Sequence, residues 1–421
     1  MIRLTNSQRT IAMIGLDDTD HPEVGCTTHA FNELIARISE ETPSEVMERR
    51  LVRLWPFASR RTRGNGALSA MISVESGSIS DLEGVCGKWF EDLCESISEH
   101  PESGTQASPC LVIAYNQAPE SWYWESVRGE VDLESRRKEV GDFDAKTFEL
   151  GEGWGIIGAS AAISWVPDEH SSWELIAWRD QARIGTPRDV NHEAVLDMAQ
   201  KHPETFLNRD PTKNKGLIAP RTPCPVLYGI RGKSSNSVTE AHLWMQKRND
   251  VEVSQTWASH RTNQMSDDHL IGIGKGTVLT PPHEGRGAHT NLQVITNGRT
   301  NSLVVFKEGG QVNKLVRQLI PGDQINWLGL EAPDGSIHLE RVALCSAAPR
   351  ISSRPSCCGK TMRSAGRHQS LRCLVCGDTM EKIWLSEPWS PEGVSSTSGW
   401  FEPSPSQRRH LAKPLDQGIP I

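Results

Sequence analysis

Residues 11–20 read Ile-Ala-Met-Ile-Gly-Leu-Asp-Asp-Thr-Asp, an apolar run that stops abruptly on Asp17, Asp18 and Asp20. Such a run predicts a buried strand whose tip carries an acidic turn. Gly25-Cys26-Thr27-Thr28 follow, and then Phe31, Leu34, Ile35 and Ile38 recur at helical spacing. Thr27 or Thr28 is a natural N-cap for that helix. Working outward, residues 67–74, 110–115, 174–178 and 225–230 have strand character, while 82–97 and 122–140 have helical periodicity. The expected class is multidomain α+β or α/β, with no internal repeat.

The character changes from about residue 274. Stretches 276–279, 290–295, 301–306, 324–330 and 336–344 are β-rich and separated by Gly, Pro and Asn turns. Five short strands in about seventy residues fit a small barrel of the OB type. Four of the ten cysteines then crowd between Cys357 and Cys376. A Ser/Pro/Gly-rich stretch over 386–406 reads as a linker, and a basic segment over 407–414 closes the chain.

A length of 421 residues predicts two to four domains. Apolar residues make up 37% and charged residues 23%, which excludes a disordered chain. No apolar run is long enough to cross a bilayer and residues 1–9 lack a signal-peptide core, so a cytoplasmic protein is expected. The clustered cysteines suit a metal site in a reducing compartment better than a disulfide framework. Net charge is −8, unevenly spread. From Arg350 onward ten Lys/Arg face six Asp/Glu, a balance of +4, leaving 35 against 47, or −12, before it. A polyanion would meet the C-terminal part more easily.

Three carboxylates within four residues repel one another at a strand tip, and a hard divalent cation such as Mg²⁺ relieves that repulsion. A solvated acidic turn is the competing explanation on charge alone. The Gly25–Thr28 segment at a helix N-terminus adds backbone N–H groups and a positive dipole end, which suit phosphate. An acidic turn beside an anion site is the equipment of phosphoryl transfer. Thr62-Arg63-Gly64-Asn65-Gly66 permits positive φ and offers Arg63 to phosphate oxygens, though an ordinary turn has the same composition. Four glycines in residues 151–158 imply close backbone approach to a ligand or to a neighbouring helix. Pro223 and Pro225 stiffen the backbone around Cys224, ahead of Tyr228, Gly229 and Arg231, and no partner His is evident for Cys224 as a nucleophile. Cys373-Leu374-Val375-Cys376-Gly377 is a zinc knuckle. Its mate is contracted: Cys357 and Cys358 are adjacent, and Pro355 stands where the first Cys belongs. Four-thiolate zinc and a metal-free ribbon are the two alternatives.

Gly-Leu-Asp-Asp-Thr-Asp, Gly-Cys-Thr-Thr and Thr62–Gly66 resemble the archaeal tRNA-Ile 2-agmatinylcytidine synthetases, as do residues 174–179, 222–232, 262–270 and the ending Arg408-Arg409-His410-Leu411-Ala412-Lys413-Pro414. The matches run in order over almost the whole chain, with two departures, the contracted knuckle and Gln264 at a place where a His is expected. The resemblance implies a kinase-like ATP/Mg domain over 1–185, a ferredoxin-like domain over 186–272, an OB-fold over 273–346 and a zinc ribbon over 350–385. Linker and basic tail fill 386–421. It also implies a ligase that places agmatine on C2 of the wobble cytidine of a CAU-anticodon tRNA-Ile. ATP is cleaved to AMP and two phosphates, and its γ-phosphoryl group activates the 2-oxo oxygen. Implied roles are catalysis and Mg²⁺ binding for Asp17, Asp18 and Asp20, and phosphorylation of Thr27. Gly25, Cys26, Thr28, Arg63, Gly64, Asn65 and Gly66 would bind ATP phosphates; Pro223, Cys224, Tyr228, Gly229 and Arg231 would bind agmatine. Arg408, Arg409, His410 and Lys413 would bind tRNA, and Cys357, Cys358, Cys373 and Cys376 would bind zinc. A nucleic-acid-binding protein with a non-catalytic N-terminal domain is the alternative, which the intact acidic turn disfavours. A third possibility is an ATP-dependent enzyme acting on a small molecule or DNA.

Overall fold

The opening apolar run is β1 (Arg9–Asp17), whose Ala12, Ile14 and Leu16 are fully buried. Over them α1 (Thr27–Glu41) lays Phe31, Leu34, Ile35 and Ile38, one face of a helix of period 3.6. The computed structural model describes residues 8–20, 26–61, 64–99, 107–350, 352–382, 385–386 and 389–420. Two units form: Met1–Ile271 with Ser404–Pro414, and Gly272–Pro403 with Leu415–Ile421. The protein is therefore multidomain α+β.

In the first unit β2 (Ser44–Arg53), β3 (Gly66–Glu75), α2 (Ile79–Ser98), β4 (Cys110–Ala114), α3 (Ser121–Arg128), α4 (Leu133–Asp142), β5 (Lys146–Glu149) and α5 (Gly155–Ser164) follow α1. The helical stretch expected over 122–140 is two helices. Gly129 ends the first, and Asp132 caps the second by accepting from the Ser135 N–H. Then come β6 (Ser172–Trp178), α6 (His192–Lys201), β7 (Thr205–Phe206), the hairpin β8 (Arg209–Asp210) and β9 (Lys215–Gly216), β10 (Val226–Gly232), α7 (Ser235–Met245) and β11 (Thr256–Thr262).

Nine of these strands make one sheet in the order β5-β4-β1-β3-β2-β11-β6-β10-β7. Its neighbours are antiparallel except β2 and β11, which pair in parallel through Arg50–Leu51 and Arg261–Thr262. That seam joins the N-terminal strands to the later ones. On β6 the side chains alternate in the usual period of two. Ile176 and Trp178 join the core under α1, while Leu175 and Ala177 pack with Tyr228, Ile230 and the helices α6 and α7.

In the second unit β12 (Gly274–Val278), β13 (His283–Glu284), β14 (Thr290–Thr296), β15 (Arg299–Val305), α8 (Gln311–Val316), β16 (Gln324–Glu331) and β17 (Ile337–Ser346) succeed one another. Five of the strands close a barrel in the cyclic order β12-β14-β15-β17-β16, with β15 and β17 parallel. Closure leaves no open edge among those five. Val294, Leu303, Val305, Leu315, Ile325 and Val342 fill it. Short hairpins after residue 352 carry the Cys cluster around a small core of Met362, Leu371 and Cys373.

The stretch expected to be a flexible linker is anchored at its aromatic residues, while residues 392–393, 395–397 and 399 between them are exposed. Trp400–Phe401 pairs with β17 and Phe401 enters the barrel core. Arg350 lies over the Trp389 ring at 3.8 Å. Large aromatic side chains among the Ser, Pro and Gly residues are what overrides the composition. The basic tail is docked as well. The Met265 N–H donates to the His410 carbonyl and the Asp267 N–H to the Leu411 carbonyl, both at 2.9 Å. Leu411 is buried in a cluster with Val52, Leu54, Tyr123 and Trp165. No helix among the described residues is long and apolar enough to cross a membrane.

Candidate functional site

The acidic turn stands where β1 ends and faces the N-terminus of α1. Its three carboxylates take three directions. Asp17 turns toward α5, and a Cβ at Gly158 would overlap its Oδ2. This accounts for the glycines of residues 151–158: the close approach is that of a helix. Asp18 adopts φ 58, and its Oδ2 is buried with no hydrogen-bond partner and with Arg60 at 4.0 Å. Asp20 reaches the helix, accepting from the Thr27 N–H at 2.7 Å and the Thr27 hydroxyl at 3.0 Å. The cap position belongs to Cys26, not to Thr27 or Thr28 as the sequence suggested, and the Asp20 carboxylate satisfies the first helical N–H from outside. The Thr19 hydroxyl also reaches Thr27 Oγ1 at 3.2 Å.

Repulsion and burial leave their mark on this turn. Burial, reinforced by Asp18, raises Asp17 well above the ordinary carboxylate range. Burial also pushes Asp18 up to about 6, with Arg60 opposing and Asp20 adding to the rise. Cys26 is pushed up to about 11, first by burial and then by Asp20. Among the described residues, the group of three or more His, Cys, Asp or Glu donor atoms lying within 4.8 Å of one another is the cysteine cluster. The three aspartates do not converge in that way.

Gly64, Asn65 and Gly66 close the hairpin between β2 and β3. Asn65 has φ 37 and donates to the Trp55 carbonyl at 2.7 Å, and Arg53 Nη1 donates to the Gly64 carbonyl at 2.9 Å. Gly25 and Arg63 lie outside the described residues. Thr28 receives the indole N–H of Trp178 at 3.2 Å, so the α1 N-terminus is tied to β6.

The loop 222–226 is held by Arg188, which donates to the carbonyls of Pro220, Thr222, Cys224 and Val226 and approaches Cys224 Sγ at 3.2 Å. Pro223 is exposed and Cys224 is half-buried. Tyr228 is turned to the opposite face of the sheet, fully buried, with its hydroxyl on His242 Nδ1 at 2.9 Å and on Gln246 at 2.7 Å. Gly229 leaves room for Glu174: a Cβ there would lie 2.6 Å from Glu174 Oε1.

Around Glu174 the charges reverse. Arg231 approaches Oε1 at 3.2 Å, Arg53 approaches Oε2 at 3.3 Å, and the Gln264 amide donates to Oε2. Gln264 Oε1 in turn accepts from Arg231 Nε at 3.0 Å and faces His410 Nδ1 at 3.2 Å. Burial alone would raise Glu174, but Arg231 and Arg53 hold it down at about 2. His410 is lowered to about 3 by the protein packed round it and by the two guanidiniums. The residue as a whole is nevertheless solvent-exposed, so it lies at the surface edge of this cluster. The rest of the tail is set against neighbouring loops. Arg408 is half-buried. Arg409 stacks on Phe57 at 4.8 Å, and the Lys413 N–H donates to Asp267 at 2.7 Å.

Sequence reasoning gave Arg53, Arg60, Glu174 and Arg188 no role of their own. Each is an isolated charge in its segment, and its partners come from elsewhere in the chain. A Gly opposite a buried charge, as at Gly229, was the available hint.

In the second unit Cys357, Cys358, Cys373 and Cys376 bring their sulfurs within 4.8 Å of one another. Cys358 and Gly359 take φ 51 and φ 75, turning the chain directly after Cys357, and the two free thiols lie 3.9 Å apart at sulfur. Cys373 is lowered to about 6 by the backbone N–H groups of Cys376 and Val375. Hydrogen bonds to neighbouring sulfurs push Cys357 up to about 12 and raise Cys358, while the tight four-sulfur geometry could hold a metal ion.

Comparison with known proteins follows this geometry. The domain profile described as the TiaS TCKD domain matches residues 13–152, and that described as the TiaS FLD domain matches 153–269. The tRNA(Ile2) 2-agmatinylcytidine synthetase TiaS of Archaeoglobus fulgidus is 30% identical, covering 96% of each chain. The enzyme of the same name from Pyrococcus horikoshii is also 30% identical over 96% of each. Among solved structures, a TiaS–tRNA(Ile2)–ATP complex superposes with TM-score 0.80 at 29% identity, covering 97% of this chain and 98% of that one. A TiaS–tRNA(Ile2)–AMPCPP–agmatine complex gives TM-score 0.77 at 26% identity, covering 97% of both.

Proposed function

The chain belongs to the tRNA(Ile2) 2-agmatinylcytidine synthetase family, and from that premise we propose how its own residues carry the reaction. The protein is an ATP-dependent enzyme that joins agmatine to the cytidine of tRNA(Ile2), and tRNA(Ile2), ATP and agmatine are its partners. The observation that carries the assignment to particular residues is the meeting of the β1 acidic turn with the α1 N-terminus.

ATP phosphates would lie against the N-terminus of α1, at Cys26 and Thr28, with the Gly64–Gly66 turn also binding them, and Gly25 and Arg63 are assigned to phosphate by the sequence and its family resemblance alone. Asp17 and Asp18 would hold Mg²⁺, with Asp20, the third expected ligand, engaged at Thr27; the fit is supported by Asp18 Oδ2, which is buried, has no hydrogen-bond partner and has Arg60 at 4.0 Å. Bound there, the ion neutralises phosphate charge. Asp20 has its carboxylate on the Thr27 hydroxyl, placed to take that proton when Thr27 Oγ1 receives a phosphoryl group. Phosphorylation of the cytidine 2-oxo oxygen turns it into a leaving group. The agmatine amine nitrogen then bonds to C2, the C2–O bond breaks, and phosphate departs with both electrons of that bond.

Agmatine is a dication, so the anionic β1 turn attracts it and a cluster of guanidiniums repels it. We therefore place it against Pro223 and Cys224, in the loop fixed by Arg188. Gly229 makes room for Glu174, Tyr228 serves the α7 core, and Arg231 is engaged by Glu174. The domain at residues 13–152 is kinase-like and that at 153–269 ferredoxin-like in this proposal. The closed barrel has the strand order of an OB-fold, with a helix between its third and fourth barrel strands. The cysteine quartet would hold zinc, and the ribbon, with Arg408, Arg409 and Lys413, would meet tRNA phosphates. ATP turnover measured with and without tRNA(Ile2) and agmatine tests the reading. Turnover should depend on both, and turnover indifferent to tRNA would refute it.

A further inference from the structure

We propose that Arg53, Arg231 and His410 form a phosphate-binding subsite in the first unit, unsuited to agmatine. The proposal rests on the synthetase reading above for the identity of the phosphate carrier.

The first ground is charge. Two guanidiniums close on one carboxylate, and Glu174 uses one oxygen on Arg231 and the other on Arg53. Arg49 lies on the same side of the sheet, half-buried, with its Nη1 on the neutral Asn32 amide at 2.6 Å. Among these groups positive charge exceeds negative, and burial lowers both Arg49, to about 10, and Arg53. Uncompensated charge in such a place is costly, and an anion offsets it. The second ground is an unmet donor: Arg53 Nε is buried and has no hydrogen-bond partner. The third is access. His410 is exposed to solvent while its Nδ1 sits 3.2 Å from Gln264, which itself bonds Arg231. The residue thus stands at the surface, joined through Gln264 to the Arg231 guanidinium. Planar arginine forks are matched to phosphate oxygens, whereas the guanidinium of agmatine would be a third cation at a carboxylate already engaged by two.

Two sources of phosphate are open to this enzyme, the nucleotide and the tRNA backbone. The full chain is titrated with inorganic phosphate, with AMPCPP and with an anticodon stem-loop of tRNA(Ile2), following thermal shift and binding. Arg231→Gln should weaken phosphate binding at least tenfold. Glu174→Gln, which frees both arginines, should gain more stability from added phosphate than the wild type gains. A merely structural Glu174 would not produce that gain. A tenfold loss for AMPCPP alone assigns the subsite to the nucleotide. A loss for the stem-loop, with a salt slope smaller by about one, assigns it to RNA. If Arg231→Gln fails to fold, Arg231→Lys keeps the charge beside Glu174 but loses the fork, and should lose affinity by severalfold. Wild-type affinity for all three ligands in a folded variant overturns the proposal. Wild-type modification of tRNA(Ile2) is assayed in parallel: its absence sinks the synthetase reading, whereas its presence with unaltered variants sinks this subsite alone.

Discussion

Two carboxylate sites in the first unit are built in opposite ways. At the tip of β1, Asp17 and Asp18 are half-buried neighbours with Arg60 4.0 Å from Asp18, and their acidity is weakened. At Glu174 the carboxylate is buried between Arg53 and Arg231, and its acidity is strengthened. Burial opposes charge in both; what differs is the company. At the first site Arg60 stands beside the carboxylates, and a cation would complete it; at the second two guanidiniums face one carboxylate, and an anion would complete it. A family that brings together a metal nucleotide, a polyanionic RNA and a cationic amine needs sites of both signs.

The largest effect is expected at the β1 tip. Asp18→Asn should lower agmatine-dependent ATP cleavage by two or more orders of magnitude, the usual loss for a metal ligand in phosphoryl transfer. Its metal-free melting temperature should not fall, because the substitution removes repulsion. Near-normal turnover would erase the contrast between the two sites. A smaller but still large effect is expected from the tail. Leu411→Ala should destabilise the first unit by about 2–4 kcal/mol in urea unfolding, the range for a buried Leu truncation. A change within error would mean that the tail is only loosely attached.

The Glu174 site makes a statement about pH. Its folded pKa of about 2 lies below the ordinary 4.5, so the ionised form favours folding. That contribution is fully present above about pH 4.5 and is lost as pH falls toward about 2. It amounts to about 3 kcal/mol at most, and Glu174→Gln should flatten the acid limb of the stability profile by about that much. An unchanged limb would contradict the pairing with Arg53 and Arg231. In the second unit, metal analysis should find about one zinc per chain, lost in Cys373→Ser. The smallest effect is expected for Arg408→Ala with Arg409→Ala. Affinity for tRNA should fall and its salt slope flatten by about two, with ATP hydrolysis in the absence of tRNA little changed.

The β1 turn was legible in the sequence because its elements are local: an apolar run, three carboxylates and a helix start lie within twenty residues. The Glu174 site was not. Arg53, Glu174, Arg231, Gln264 and His410 come from five separate segments; Arg231, Gln264 and His410 were singled out one by one, but nothing in the sequence joined them to one another or to Arg53 and Glu174. The five barrel strands were visible from their turns, whereas the parallel seam between β2 and β11 depends on register that composition does not encode. Residues 151–158 were read as demanding close approach, and the sequence left open whether to a ligand or a helix; the structure supplies α5. The Ser/Pro/Gly stretch misled because its few aromatics, Trp389, Trp400 and Phe401, outweigh its many small residues.

The central claim is tested most directly on the tRNA itself. tRNA(Ile2) is incubated with the enzyme, ATP and agmatine, digested to nucleosides and weighed by mass spectrometry. The wobble cytidine should gain the mass of agmatine less one water, only when ATP is present, and Asp18→Asn enzyme should leave it unmodified. No gain with all substrates present, or a gain without ATP, would contradict the account.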